Sequence, residues 1–293
     1  MSFLLIFSRV YYPCYNGCMP QDKYSAVWVS SSSMSDFLKC PRLYYLRNVY
    51  KDPLTRHKIN IINPALALGQ SVHEVLEALS VVPVEDRFTT SLLSTYETVW
   101  KKVSGKLGGF ANDQEEELVK ERGAQMLKRV MEYPGPLKNK AVKIPKELPN
   151  YYLSEEENIV LCGKIDWLEY LPDDDSVNII DFKTGKNDES ASSLQLPIYL
   201  LLVHNLQKRK VSKASYWYLD RDNEPVSILL PDVEEAYKKV LETAKQVKAA
   251  RLKGEYLCPK DGCYACRPFE KILKHEAEFV GVGGYSQDLY IIS

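Results

Sequence analysis

The sequence predicts an α/β protein in which helices precede and flank a mixed sheet. Three observations lead to this fold class. Apolar residues recur with a helical period over residues 65–133, strand-like apolar runs begin near residue 158, and a long helical stripe returns after residue 233. Because helices come both before and after the strands, we expect a mixed central sheet with an N-terminal helical segment.

Composition limits the class of protein. The chain has 293 residues, of which 45% are hydrophobic, enough for one large domain or two modest ones. Its formal net charge is −1, so any binding to nucleic acid must use local patches. Two basic runs are candidates, although both can equally be solvated surface. These runs are Lys138, Lys140, Lys143 and Lys146, and the stretch QKRKVSK at 207–213.

The chain lacks the sequence features of a membrane or secreted protein. No stretch is long enough to span a membrane. Residues 1–18 have neither the basic region nor the cleavage site of a signal peptide, and we expect the extension 1–29 to be unstructured in part. The seven cysteines are an odd number, and three of them cluster near residue 260, which does not suggest a disulfide framework. We therefore expect a cytoplasmic protein with a metal site.

Helices are expected first along the chain. Ser33 and Asp36 have the spacing of a capping box, and Pro41 marks the start of a second short helix. A PGP stretch at 134–136 ends the helical part. The longer predicted helices cover residues 65–80, 89–104 and 113–133.

Strands follow the helices. The runs NIVLCGKIDWLEYL (158–171) and SVNIIDF (176–182) predict a hairpin with PDDD as its turn. The remaining predicted elements are a helix over 190–208, strands over 213–219 and 225–230, a long helix from Val233, the cysteine segment and an irregular tail.

The predicted hairpin carries two carboxylates and a lysine at its end. If the turn is centred between Asp173 and Asp174, antiparallel pairing sets Asp166 opposite Asp181. Alternation then places Lys183 on the same face as both acids. Leu168 and Ile179 share this face, whereas Ile165, Trp167, Ile180 and Phe182 line the other. Since both faces are apolar, we expect helices to cover both.

Two neighbouring carboxylates are costly to bury unless a cation neutralises them. Oxygen ligands of this kind suit Mg²⁺ or Mn²⁺. A lysine beside the ion can orient a water and stabilise a negatively charged transition state. The group therefore suits metal-assisted hydrolysis of a phosphodiester. The alternative is a structural salt bridge between Asp181 and Lys183.

Two other positions bear on this choice. Gln195 and Tyr199 lie four residues apart, hence on one face of a predicted helix, although such pairs are also common on plain surfaces. His73 can be a third metal ligand or an ordinary packed histidine. The position four after it is Glu77, so the string is not a zincin motif.

The cysteines near the C-terminal end predict a separate metal centre. Cys258, Cys263 and Cys266 form C-x4-C-x2-C, and Cys40 is the best candidate for a fourth ligand of zinc or an iron–sulfur cluster. Cys162 lies in an apolar predicted strand and is expected to be core.

Five segments together resemble the RecB-type nucleases of the PD-(D/E)XK superfamily, a group that includes RecB and AddB nuclease domains and CRISPR-associated RecB-like exonucleases. In order, the segments are MSDFLKCPRLYYL, GQSVHEVLE, GKIDWLEY, IIDFKTGK and QLPIY. The resemblance implies a restriction-endonuclease-like core. The implied divisions are a nuclease domain at 30–275, with a helical part about 65–135, a catalytic core about 149–250 and a cysteine segment at 256–270, followed by a tail at 276–293.

The resemblance also implies roles for individual residues. Lys183 would be the catalytic lysine, and Gln195 and Tyr199 would position it and the DNA strand. Cys40 would be the first ligand of a 4Fe–4S cluster. The implied ligands of Mg²⁺ or Mn²⁺ are His73, Asp166, Asp181 and the backbone carbonyl of Phe182.

One departure concerns the cysteines. Members with the cluster usually end in C-x2-C-x5-C. Cys263 and Cys266 fit the pair, but Ile272 occupies the last position and Cys258 lies upstream instead. A 4Fe–4S cluster and a structural Zn²⁺ therefore both stay open.

The function that the resemblance implies is a metal-dependent deoxyribonuclease. It would act as an exonuclease on single-stranded DNA ends in repair, recombination or CRISPR-type processing, with a helicase or a CRISPR or repair protein as partner. The helical segment would form one wall of the DNA channel. Two alternatives remain, a non-catalytic DNA-binding or scaffold module of the same fold and a nuclease that acts on RNA, since no residue pattern separates DNA from RNA.

Overall fold

The computed structural model describes residues 25–292, so the expectation for the first 24 residues of the chain lies outside the described part. The strands are β1 (Val27–Val29), β2 (Lys58–Ile61), β3 (Asn150–Ser154), β4 (Ile159–Cys162), β5 (Trp167–Leu171), β6 (Ser176–Lys183), β7 (Lys210–Tyr218), β8 (Val226–Ile228), β9 (Glu278–Gly283) and β10 (Gln287–Ile291). The helices are α1 (Ser31–Lys39), α2 (Pro41–Tyr44), α3 (Pro64–Ala78), α4 (Leu92–Trp100), α5 (Asp113–Glu132), α6 (Gln195–Leu206), α7 (Val233–Lys253) and α8 (Arg267–Leu273).

The largest sheet of the described chain has the order β5-β6-β7-β8. Strands β6 and β7 are parallel, and the other two pairs are antiparallel. Leu171 pairs with Ser176, so the turn is centred between Asp173 and Asp174 as predicted. The same register puts Asp166 level with Asp181, one position before Trp167, which pairs with Ile180.

Helices cover both faces of this sheet, which confirms the predicted fold class. Leu168 and Ile179 pack in the apolar layer formed with α6 and α7. Trp167, Ile180 and Phe182 pack on the opposite face against α3, α4 and α5. Both layers are fully buried, so the strand ends that carry the polar residues are held by apolar contacts from two sides.

The prediction of one continuous strand over 158–171 is wrong. Strand β4 belongs to a different sheet, of order β1-β4-β3, and residues 163–166 lead from it to β5. A Cβ atom on Gly163 would lie 3.0 Å from Leu202 Cδ1, so α6 passes very close to this crossing. Because Ile165 precedes β5, alternation does not apply to it, and it packs on the α6 side rather than on the predicted face.

The predicted capping box at Ser33 and Asp36 is also wrong, because the box that forms lies three residues earlier. The box that forms is Ser30 with Ser33, in which each side chain bonds the backbone N–H of the other. Asp36 is buried and accepts hydrogen bonds from Arg47 and Asn48 instead. Helix α2 starts at Pro41 as predicted.

The other predicted helices are present with shifted ends. Helix α3 is capped by Asn63, whose side chain accepts a hydrogen bond from the Leu66 N–H, and α5 is capped by Asn112. Helix α6 begins at Gln195, because residues 190–194 form turns. None of the described helices is long and apolar enough to cross a membrane.

The C-terminal tail forms a hairpin rather than the predicted irregular segment. Strands β9 and β10 are antiparallel, joined through Tyr285 and Ser286, which both have positive φ. Strand β10 also pairs in parallel with β2. Asp288 on β10 is buried, and its carboxylate bonds His57 and Thr55. The tail is thus built into the fold.

Candidate active site and cysteine cluster

The candidate catalytic residues come from four elements that meet at one end of the largest sheet. Asp181 and Lys183 stand at the end of β6, and Asp166 immediately precedes β5. Gln195 opens α6, and Tyr199 follows one turn later. The sheet register and the two apolar layers therefore fix the backbone position of each candidate catalytic residue.

Lys183 is surrounded by acceptors. Its Nζ lies 2.8 Å from Asp181 Oδ2, 2.7 Å from Glu189 Oε2 and 2.6 Å from Gln195 Oε1. The ring of Tyr216 lies below the ammonium, with its centroid 5.0 Å from Nζ. The contact with Gln195 is a hydrogen bond, whereas Asp181 and Glu189 form ion pairs with the ammonium.

Gln195 joins the lysine to the carboxylate and to Tyr199. Its Nε2 donates to Asp181 Oδ1 at 2.7 Å and lies 3.1 Å from the Tyr199 hydroxyl. The amide oxygen takes the Lys183 bond, so the orientation of the amide is set by both neighbours. The spacing of Gln195 and Tyr199 in sequence thus corresponds to a direct contact.

Asp166 lies on the other side of Asp181. Its Oδ2 accepts the backbone N–H of Phe182 at 2.9 Å, and its Oδ1 lies 3.3 Å from His73 Nδ1. Helix α3 therefore brings His73 to the sheet end. The Phe182 backbone stands between the two carboxylates.

The electrostatics of the group reflect burial and mutual repulsion. Burial, then the Asp166 charge, raises the pKa of Asp181 to about 7. Burial lowers the pKa of Lys183, but the carboxylates of Asp181 and Glu189 outweigh it and leave the pKa above its ordinary value. Burial likewise lowers the pKa of His73, but the bond to Asp166 reverses the direction and raises it.

These residues fit a divalent cation. Asp181 is 3% exposed, and its Oδ2 accepts no well-oriented hydrogen bond from the described residues, although Lys183 Nζ forms an ion pair with it. A buried carboxylate oxygen without a well-oriented hydrogen-bond donor is a candidate metal ligand. Donor atoms of His73, Glu77 and Asp166 also lie within 4.8 Å of one another. Oxygen and imidazole ligands of this mixture suit Mg²⁺ or Mn²⁺.

Two neighbours of the site were missed from the sequence. Glu77 lies one turn after His73 and contacts Lys164 Nζ. Its spacing of four from His73 placed it on the same helix face and could have indicated it. Glu189 lies in the turns before α6, where no periodic pattern points to it.

A second layer holds the segment after Lys183. Arg122 on α5 donates from Nη2 to the Thr184 carbonyl at 2.8 Å and forms a two-pronged pair with Asp220. A Cβ on Gly69 of α3 would lie 3.3 Å from Thr184 Oγ1. The helical segment is thus pressed directly against the strand end that carries the lysine.

The cysteines form a separate cluster. Thiol sulfurs of Cys40, Cys258, Cys263 and Cys266 all lie within 4.8 Å of one another. Cys40 lies between α1 and α2, and the other three precede α8. Ile272, the residue at the position of the expected last cysteine, is buried among the apolar contacts of this region.

The cluster has the chemistry of a metal centre. Backbone N–H groups of Lys260 and Gly262 lower the pKa of Cys258 to about 6, and those around Cys263 lower its pKa too. Burial raises the pKa of Cys40 and Cys266. Four thiols at this spacing, without a disulfide, can hold a metal. Cys162 is apart from them and buried, as predicted, with its pKa raised to about 11 by burial.

Comparison with known families identifies the fold. Residues 29–268 match the family model described as the PD-(D/E)XK nuclease superfamily. The chain belongs to this superfamily. No curated protein matched the chain in a direct sequence search.

Membership in the PD-(D/E)XK superfamily accounts for the coarse features of the site. PD-(D/E)XK proteins are nucleases and use divalent metals. Asp181 and Lys183 at the end of β6 stand in the order D-x-K, and the matched region includes every residue of the candidate site. The four cysteines also fall inside the match.

Proposed function

We propose that this protein is a RecB-like PD-(D/E)XK nuclease that hydrolyses DNA phosphodiester bonds with Mg²⁺ or Mn²⁺. In this proposal it acts as an exonuclease on single-stranded ends, in repair, recombination or CRISPR-type processing. One observation carries the proposal. The Lys183 ammonium and the Asp181 carboxylate, 2.8 Å apart, are joined by Gln195 at the same sheet end where Asp166 and His73 meet.

The proposed roles follow from these contacts. Asp166, Asp181, His73 and the Phe182 carbonyl would hold the cation, which would supply positive charge beside the scissile phosphate. Lys183 would donate a hydrogen bond to the charge that develops on the phosphate oxygens. Gln195, oriented by Tyr199, would keep the ammonium aimed at that position.

Cleavage of end-labelled single-stranded DNA tests the proposal. We expect Mg²⁺ or Mn²⁺ to support stepwise shortening that EDTA abolishes, and Lys183→Ala to lose it. Lys238→Ala is the matched control, because Lys238 is an exposed residue of α7. Digestion of linear but not circular single strands would support the exonuclease. Equal activity of Lys183→Ala and the control would overturn the site, and cleavage of RNA alone would overturn the DNA assignment.

The four cysteines would hold a second, structural metal centre. The resemblance to RecB-like proteins favours a 4Fe–4S cluster. The sulfurs of Cys263 and Cys266 lie 3.7 Å apart, close to the roughly 3.8 Å that a tetrahedral ion with Zn–S bonds of about 2.3 Å requires. This spacing favours Zn²⁺. Iron and zinc analysis of anaerobically purified protein, with its visible spectrum, decides between them.

A further inference from the structure

Two clefts adjoin the carboxylates of the candidate active site. The first cleft has a volume of about 820 Å³ and extends from α1 to Gln195 and Tyr199. The second cleft has a volume of about 370 Å³ and reaches Asp166 and Glu77. Lys164, in the crossing between β4 and β5, lines both clefts. Lys164 therefore lies between the two clefts, with Gln195 and Tyr199 on one side and Asp166 on the other.

The first cleft is rich in hydroxyl groups, and each of its acids contacts a basic residue. Its walls carry serine hydroxyls from the start of α1 and from the turns before α6, groups that commonly contact phosphates. Lys39 is exposed at the end of α1 and adds a positive charge. The acidic lining residues and their basic contacts are Asp36 with Arg47, Asp188 with Arg221 and Glu189 with Lys183.

The second cleft has a similar balance. Lys143 and Lys146 are exposed and line it. Outside the candidate metal ligands, Glu147 is the carboxylate that opposes them. The remaining acidic lining residues contact lysines, in the pairs Glu74 with Lys102 and Glu77 with Lys164. Lys39 in the first cleft and Lys143 in the second form no ion pair with the described residues. Lys146 donates to the Asn150 carbonyl and keeps two further N–H donors, whereas Lys164 would have to exchange Glu77 for a phosphate.

We propose that the two clefts form one path for a single nucleic acid strand. Lys39 would contact phosphates in the first cleft, Lys164 at the junction, and Lys143 and Lys146 in the second cleft. This inference rests on the proposed function, since a strand that passes Lys164 from one cleft to the other would run beside the candidate active site. The single strand follows from the proposed function, and the test below includes a duplex competitor that would contradict it.

The other basic run of the sequence lies far from this path. Lys210 pairs with Ser176 at the start of β6, whereas Lys183 pairs with Tyr218 at its end. At about 3.3 Å a step, Lys210 is seven steps or about 23 Å from the level of Lys183, and Lys213, which pairs with Asn178, is five steps or about 16 Å from it. Lys208, Lys210 and Lys213 are exposed and provide a matched control for charge removal.

The test measures binding, not cleavage. The probe is a fluorescein-labelled oligothymidylate, followed by anisotropy in EDTA and in Ca²⁺, between about 50 and 200 mM salt. Three proteins are compared: the wild type, the triple variant Lys143→Ala/Lys146→Ala/Lys164→Ala, and the control triple variant Lys208→Ala/Lys210→Ala/Lys213→Ala. We expect the path variant to raise Kd at least about tenfold and to reduce the salt slope by about 2, since each phosphate contact to a single strand contributes about 0.7. The control should do neither.

Several outcomes would overturn the path. They are no binding by the wild type in either buffer, an equal loss in the control variant, an unchanged Kd in the path variant, or equal competition by a blunt duplex. Lys39→Ala tests the first cleft alone and should reduce the slope by about 0.7. Normal cleavage with unchanged binding in the path variant rejects the path but keeps the nuclease. If the wild type binds but never cleaves and the path variant binds more weakly, the path is kept and the nuclease is rejected.

Discussion

The ammonium nitrogen of Lys183 lies 2.7 Å from a carboxylate oxygen of Glu189, in the turns that lead into α6. Glu189 and Gln195 approach the lysine from the same segment, whereas Asp181 approaches from its own strand. If a cation engages Asp181, the other two contacts remain to hold the ammonium in place. Glu189 is therefore expected to position the lysine.

Removal of Glu189 should lower kcat more than it changes KM. We expect Glu189→Ala to reduce kcat about 10- to 100-fold, because a misplaced catalytic group loses the benefit of orientation. Glu189→Gln keeps an acceptor and should retain more activity. Steady-state kinetics on labelled single-stranded DNA measures both. Asp188→Ala is the control, since its carboxylate contacts Arg221 instead. Equal kinetics of all three variants would exclude the positioning role.

Loss of the carboxylates or the lysine should abolish cleavage without unfolding the chain. We expect Asp166→Ala, Asp181→Ala and Lys183→Ala to lose at least about 100-fold in rate. Lys183→Arg should rescue poorly, because the guanidinium is larger and planar. Thermal melting separates the roles: Mg²⁺ should stabilise the wild type and Lys183→Ala, but stabilise Asp181→Ala less. A lysine variant that loses metal binding as fully as Asp181→Ala would indicate a structural ion pair.

Stability of the metal-free protein should fall as pH rises through about 7. The pKa of Asp181 is raised from 3.8 to about 7 by burial and by Asp166. Between these values the folded state holds a proton that the unfolded chain has released, so this contribution is full below pH 4 and lost above pH 7. The raised pKa of His73 acts in the same direction.

Urea unfolding in EDTA from pH 5 to pH 8 measures this effect. The slope from Asp181 is at most about 1.4 kcal/mol per pH unit, the value for one proton. Asp181→Asn cannot ionise and should flatten the profile. Saturating Mg²⁺ should weaken the fall, because the ion requires the ionised carboxylate. A wild-type profile as flat as that of Asp181→Asn would contradict the raised pKa.

Cys40→Ser should destabilise the protein about as much as Cys263→Ser, although the two positions are more than 200 residues apart. A shared metal closes the intervening loop, an effect on the order of 5 kcal/mol by analogy with a disulfide of that span. Both variants should lose the same metal in elemental analysis. Cys162→Ser should retain it, because Cys162 lies in β4 with its Sγ near the Val29 carbonyl. Full metal content in Cys40→Ser would exclude the shared centre.

Sequence reasoning could place the hairpin because its turn and its alternation are local signals. The register that sets Asp166 level with Asp181 follows from the PDDD turn alone. It could not place the break at Gly163, since β1, one partner of β4, is distant in sequence, and neither β1 nor the neighbouring β3 carries a strong pattern. The hairpin of β9 and β10 was missed because its turn, Tyr285 and Ser286, lacks the usual Asn-Gly signature.

The site residues divide in the same way between those with a local sequence signal and those without one. His73, Gln195 and Tyr199 were reached through motifs, and the structure brings them beside the two acids. Glu189 has no motif, and only the path of the turns before α6 brings it to the lysine. The sequence places Lys164 inside a predicted strand. Its position between the two clefts depends on how β4 and β5 diverge.

The distance in sequence between Cys40 and its partners has a consequence for folding during synthesis. Chains grow from the N-terminus, and domains fold as their parts emerge. Cys258 is synthesised more than 200 residues after Cys40, and β10 more than 200 residues after β2. The cysteine cluster and the pairing of β2 with β10 cannot form before then. Until then, an isolated thiol and an unpaired strand edge are open to oxidation and to wrong partners. Slow synthesis would therefore prolong the period in which this thiol and this strand edge are exposed.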